Sequence, residues 1–273
     1  APTIGVEYHI SDNFTIGGTY LLDEHESKRV VMVISDNNSD GKAPLLSGSY
    51  YLKKALEPYA NIKNSDLTNL QAEKFSMLTL IDTLPMTHEQ GIKVVEWVRK
   101  GGVLLRFLGP RASQIREKDK LVLLPVKLQE GDRVLGGPMS WATSASMAPF
   151  LQNSIFSGLK IQDEIRISQH ILAKPSLDLA GKVWAQLIDG APLVTAKQVG
   201  NGWSILFHCT ANAEWSNLPI SGLFVQMLRR ILKLSSGFLP IKKEASLSPT
   251  LVLDGFGKLT APNSIIKNIK AKE

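Results

Sequence analysis

Apolar residues along this chain fall into two patterns, continuous short runs and helical stripes, and the two alternate. Arg29-Val30-Val31-Met32-Val33-Ile34-Ser35-Asp36 is an unbroken apolar run closing on polar residues. Such a run fits a strand buried on both faces, as in a parallel sheet. After the loop Asn37-Asn38-Ser39-Asp40-Gly41, Tyr51, Leu52, Ala55, Leu56 and Tyr59 recur on one helical face, which Pro58 brings to an end. A second unit repeats the order. Residues 75–81 form an apolar run closing on Asp82, and Thr87 with Gln90 is placed to make a capping box. Ile92, Val95 and Val98 share a helical face, with Val94 and Trp97 beside it, and Lys100-Gly101-Gly102 stops the helix. A third strand, 103–108, ends at Gly109-Pro110-Arg111. Strand, helix, strand, helix, strand implies a parallel sheet.

The rhythm then changes. Residues 112–180 hold short strand-like pieces (121–124 and 165–171) among Pro, Gly and Ser, and read as an irregular insertion, a lid or a small β subdomain. A meander follows: 183–188, the turn Asp189-Gly190, 193–197, the turn Gly200-Asn201-Gly202, and 203–208. Asp-Gly between strand patterns is a strong hairpin signal. Leu223, Phe224, Met227, Leu228, Ile231 and Leu232 make one stripe on a final helix, for which Asn217 or Ser221 is a cap. The expected organisation is a strand-like lead-in over 1–25, an α/β domain over 26–235 and a linker or tail over 236–273. Its fold class is α/β, a mainly parallel sheet flanked by helices, with a late β-meander and the insertion.

Composition narrows the function classes. With 273 residues and a hydrophobic share of 44%, the chain can bury a large core. No apolar run approaches the ~20 residues of a membrane span. Ala1-Pro2-Thr3-Ile4-Gly5 lacks the pattern of a signal peptide and starts without Met, which suggests an excised extramembrane fragment or a processed chain. A single cysteine, Cys209, precludes an internal disulfide and Cys-pair zinc sites. Of the net charge of +6, residues 236–273 supply half through six Lys against three acidic groups. Basic residues are nowhere interleaved with stacking aromatics, so nucleic acid is not an expected partner.

Ligands of open parallel sheets bind at the carboxyl ends of the strands. That rule selects Asp36, Asp82, Arg111 and His208 as possible ligand-binding residues, with Trp215 as a rim aromatic. The alternative reading of the two aspartates is that they satisfy loop amides. His208 and Cys209 are neighbours on a strand, so they face opposite ways and cannot act as base and nucleophile together. His9, His25, His88, His170 and His208 have no zinc-ligand spacing. No G-x-S-x-G elbow, P-loop or Gly-rich dinucleotide turn occurs, and no cofactor is expected.

Thr87-x-Glu89-Gln90, running through Trp97-Val98 into Gly101-Gly102-Val103-Leu104-Leu105-Arg106-Phe107, and Gly200-x-Gly202-Trp203 closing on Leu206-Phe207-His208, resemble class I glutamine amidotransferase-like domains, and so a flavodoxin-like/amidotransferase-like sheet. With Pro44-Leu45-Leu46-Ser47, Tyr50-Tyr51-Leu52, Leu124-Pro125-Val126, Leu135-Gly136-Gly137 and residues 215–230, the chain is similar to such domains in one bacterial group. Those are membrane proteins with an aerotolerance-regulator-type double-transmembrane N-terminus and a C-terminal domain of unknown function, whose lead-in Leu253-Asp254-Gly255-Phe256-Gly257 resembles. The family's elbow position, Gly109-Pro110-Arg111, carries no nucleophile here, and its His-x-Glu pair reads His208-Cys209-Thr210. Without a nucleophile, covalent catalysis is lost. The resemblance therefore implies a non-catalytic domain of a membrane-anchored envelope protein, held in the periplasm by inner-membrane segments outside this chain. It would bind a partner protein or a small ligand. The alternative is a hydrolase-like enzyme using Asp36, Asp82, Arg111 and His208.

Overall fold

The computed structural model describes residues 29–35, 47–64, 75–83, 86–111, 124–129 and 144–235, together with short strands near both ends. Residues 29–237 form one compact unit, and residues 1–28 with 238–273 form another. In the latter, the described residues form three antiparallel pairs: β1 (Val6–His9) with β2 (Thr19–Leu22), β10 (Ser246–Leu247) with β13 (Ile269–Lys270), and β11 (Val252–Leu253) with β12 (Leu259–Thr260).

The larger unit is built on a seven-stranded sheet. Its strands are β3 (Arg29–Ser35), β4 (Ala60–Asn64), β5 (Met77–Ile81), β6 (Val103–Phe107), β7 (Val183–Gln186), β8 (Pro192–Val199) and β9 (Gly202–Phe207). They lie in the order β4-β3-β5-β6-β9-β8-β7. The first five in that order are parallel, while β8 runs antiparallel to both its neighbours. Numbered by chain position, the parallel strands run second, first, third, fourth, fifth, the order of flavodoxin-like folds. The apolar runs at β3, β5 and β6 are strands because both faces are covered. Val31, Val33, Met77, Val103, Leu105 and Phe107 point to one face, and Met32, Leu78, Leu80 and Leu104 to the other. Strand β4 was not evident in the sequence. It is an edge strand with one buried residue, so it lacks the apolar run that marks its neighbours.

Helices α1 (Gly48–Leu56) and α3 (Gly222–Leu234) pack on the first face, and α2 (His88–Arg99) on the second. Helix α2 starts with the expected capping box: Gln90 N donates to Thr87 Oγ1 at 3.3 Å, and Thr87 N to Gln90 Oε1 at 3.0 Å. It stops at Gly101, whose φ of +119° suits glycine. Helix α3 is capped by Ser221, whose Oγ accepts from Phe224 N, and it buries the whole apolar stripe.

The described parts of the insertion pack on both faces of the sheet around β9. Met147, Phe156, Ile165 and Ile167 join the core under α3, whereas Leu124, Val126, Leu128 and Ala173 pack with Leu108 and Leu206 on the opposite face. The chain between 167 and 173 therefore crosses the carboxyl edge. The expected strand over 165–171 is reduced to isolated bridges, Ile167 pairing with Ala145 and with Ser216. A segment turning over a sheet edge cannot keep a regular ladder.

Candidate functional site

The carboxyl ends of the parallel strands are the usual ligand edge of this fold. Asp36 lies outside the described residues. Asp82 follows β5 with a positive φ of 41°, a left-handed conformation that Asp tolerates better than most side chains. Its backbone N donates to Phe107 O at 3.0 Å, and its carboxylate Oδ1 accepts from Arg111 N at 3.0 Å. The turn presses on this carboxylate closely enough that a Cβ at Gly109 would stand 2.4 Å from Asp82 Cγ. Asp82 and Arg111 are thus brought together by a bond from the Arg111 backbone, and the aspartate holds the loop that follows β6.

His208 is fully buried. Its Nδ1 lies 2.7 Å from the Ile171 carbonyl oxygen, which accepts, and Nε2 lies 3.0 Å from Thr195 Oγ1. A neutral imidazole protonated on Nδ1 satisfies both contacts, with the threonine hydroxyl donating to Nε2. Burial depresses its pKa to about 4, an effect that His170 reinforces and the Ile171 carbonyl opposes. Ile171 N in turn donates to His208 O at 2.8 Å. The histidine is a fastener for the crossing segment. Trp215 is buried in the main core, and its carbonyl accepts from Ser168 N and Gln169 N, the same segment again. It is not a rim aromatic. Cys209 faces the opposite side and is buried, with its thiol pushed up to about 12 by desolvation. Among the described residues no three His, Cys, Asp or Glu side chains converge as metal ligands.

An open concavity lies elsewhere. Since β7 runs with the parallel strands, the turn after it, 187–191, stands on the carboxyl edge. Between that turn and the insertion is a cleft of about 650 Å³, within the usual range for small-ligand sites. Met147, Phe150, Leu159, Ile161 and Ile188 supply an apolar wall, and Gln162, Asp163 and Arg166 the polar groups. Ile188, at the tip of the turn, is 72% exposed. The insertion wall is fixed from behind. Arg230 of α3 donates through Nη1 to the carbonyls of Ile155 and Ser157, both at 2.6 Å, and Ser154 Oγ donates to Trp184 O at 2.7 Å. Phe156 meets Trp184 edge-on and also lies against Phe150. Sequence reasoning missed this cleft. Its one signal is the density of apolar residues over 147–156 without a strand or helix period.

No family model matches the chain, and no curated protein matches it. Among solved structures, it is similar to the cytoplasmic protein STM3548 from Salmonella typhimurium, at 14% identity and a TM-score of 0.55, over 75% of this chain and 98% of that one. It is similar to the cytoplasmic protein STM1381 from Salmonella typhimurium LT2, at 13% identity and a TM-score of 0.52, over 76% and 97%. The mmIFT52 N-terminal domain matches at 11% identity and a TM-score of 0.55, over 77% and 99%. The chain shares their fold. At such identities the likeness extends no further.

These findings correct the resemblance to amidotransferase-like domains of aerotolerance-regulator-type membrane proteins. The motifs that suggested it turn out to be structural punctuation: a capping box at Thr87, a glycine stop at Gly101 and a hairpin turn at Gly200, whose φ is +62°. Any fold of this kind can use them. The inner-membrane, periplasmic placement rested on that resemblance and is corrected with it. Two of the proteins of similar structure are cytoplasmic proteins of Salmonella typhimurium, and no helix among the described residues is long and apolar enough to cross a membrane.

Proposed function

We propose that this chain is a non-catalytic binding domain that takes a partner segment or a small ligand in the cleft between the insertion and the turn after β7. One observation carries the reading. Asp82 and His208 at the strand ends are engaged in internal bonds, Asp82 with Arg111 N and His208 with Ile171 and Thr195, while the open cleft sets apolar side chains beside Gln162, Asp163 and Arg166. Binding sites combine a concave surface with apolar side chains and polar groups that fix orientation.

The test is a ligand-observed screen of small apolar and amphipathic compounds, repeated on Ile188→Asp and His208→Gln. Ile188 is exposed, so its replacement leaves the fold intact. Hits that vanish in Ile188→Asp and persist in His208→Gln support the reading. Hits that persist in Ile188→Asp, or chemical turnover of a bound compound, would move function back to the strand ends.

A further inference from the structure

Ile167 sits in the core under α3 and Ala173 in the cluster on the opposite face. Between these apolar anchors the chain crosses the sheet edge, and the side chain it buries there is His170. The His170 Nε2 is buried without a hydrogen-bond partner. A neutral ring tolerates a lone pair at that position, whereas protonation would place an unanswered N–H there. The next residue, Ile171, is bonded through both main-chain groups to His208, whose Nε2 accepts from Thr195 Oγ1. A protonated His208 would force the Thr195 hydroxyl to accept instead, leaving its hydrogen buried without a partner. Two imidazoles thus pin the crossing segment, and both are placed for their neutral forms.

The charges around the pair favour the same forms. His170 stands within electrostatic range of His208, and the Asp189 carboxylate within range of His170. Arg106 of β6 is buried on the same sheet face as His208, since residue 106 lies opposite Leu206. The neighbouring elements also carry exposed Lys127, Lys174, Lys197 and Glu214, so cations outnumber acids. Each wall of the cleft adjoins the pair. Ile165 and Arg166 lead directly into the crossing segment, and Asp189 follows Ile188 in the opposite wall.

We infer that residues 168–171 are an acid-released latch: when His170 and His208 take up protons, the segment lifts from the sheet edge and loosens both cleft walls while the strands stay paired. As regulation of the cleft, this rests on the reading of the cleft as the binding site.

The experiment is amide hydrogen exchange of the full chain between about pH 7.5 and about pH 5.5, expressed as protection factors so that intrinsic rates cancel. A histidine that is neutral when latched and regains an ordinary pKa of ~6.5 when released raises the open population about tenfold over this window. The pair therefore gives about a hundredfold. Ser168, Gln169 and Ile171 should lose protection by that factor, together with Ile165 and Ile188, whose amides bond Gln162 O and Ser146 O in the cleft walls. Leu104 and Leu105 in the middle of the sheet should stay better protected throughout. His170→Gln and His208→Gln should each reduce the loss to about tenfold. Equal protection of latch and strand amides at every pH would mean that the segment opens only by global unfolding, and the inference falls. It falls as well if the loss is the same in the parent and both variants, or if Ile165 and Ile188 do not follow the latch. No ligand is involved, so such a failure leaves the proposed function standing, and failure of the ligand screen leaves the latch standing.

Discussion

Lowering the pH should destabilise this protein through His208, in the direction its burial dictates. The imidazole is fully buried between Ile171 O and Thr195 Oγ1, and its pKa falls from 6.5 to about 4, chiefly through desolvation. A depressed histidine pKa means that the unfolded chain takes up the proton first as pH drops. Stability from this group is therefore complete above its ordinary value and is lost as pH falls towards the folded one. Integrating over that window, the loss is about 2 kcal/mol between about pH 7 and about pH 5, and about 3 kcal/mol by about pH 4. For a unit of this size, the first figure corresponds to roughly 4–8 °C in Tm. Carboxylates titrate in the same range, and His170 is also depressed by burial. The assay is therefore a difference: urea unfolding of the parent and of His208→Gln across the pH series. The variant should start lower by roughly 1–3 kcal/mol for its lost contacts, yet fall less steeply. The carboxylates and His170 are present in both proteins, so the gap in slope belongs to His208. Parallel curves, or an NMR titration of His208 near its ordinary value, would refute the argument.

Three further outcomes follow from the same geometry. Trp215→Ala should cost about 3–5 kcal/mol in chemical denaturation, the range for emptying a large buried aromatic, whereas a rim aromatic would cost almost nothing. Gly109→Ala places a Cβ against the Asp82 carboxylate and should destabilise by about 1–3 kcal/mol; an unchanged Tm would mean that the Asp82–Arg111 bond is dispensable. Cys209, with its thiol raised to about 12 and only 1% exposed, should resist a thiol reagent in native buffer and react at once in denaturant. Rapid labelling of the folded chain would contradict the buried placement.

How much of this was legible in the sequence differs from element to element, for physical reasons. The strands β3, β5 and β6 were plain because burial on both faces leaves an unbroken apolar run. Helix α2 was legible at both ends because its cap and its stop are local chemistry, written within four residues of each terminus. The opposite facing of His208 and Cys209 followed from strand alternation, and the neighbours bear it out: Thr195 meets the histidine, while the cysteine lies in the main core. Strand β4 was missed because an edge position asks little of its side chains. The cleft was missed for a deeper reason. Its walls are irregular chain whose positions are fixed by distant partners, such as Arg230 holding Ile155 and Ser157 across more than seventy residues of sequence. No period or local motif records such a bond.

The insertion also explains why the usual ligand edge of this fold is poorly suited to His208-based chemistry. Freeing His208 as a base would require residues 168–171 to lift. That breaks the bonds of Ile171 N and Ile171 O to the histidine and those of Ser168 N and Gln169 N to Trp215 O. At about 1 kcal/mol net for each bond, before any apolar surface is exposed, the cost is about 4 kcal/mol, a large part of a typical domain's stability. The imidazole so exposed would have to regain a pKa near neutrality to be useful, and its present environment opposes that. Yet the segment that closes the edge is continuous with the cleft: Ile165, two residues before the bridge at Ile167, is part of the cleft's lining. Covering the histidine and building the cleft are therefore one structural event. A variant that uncovers His208 should lose the cleft with it, and ligand binding should fall together with the protection of His208 rather than be exchanged for reactivity.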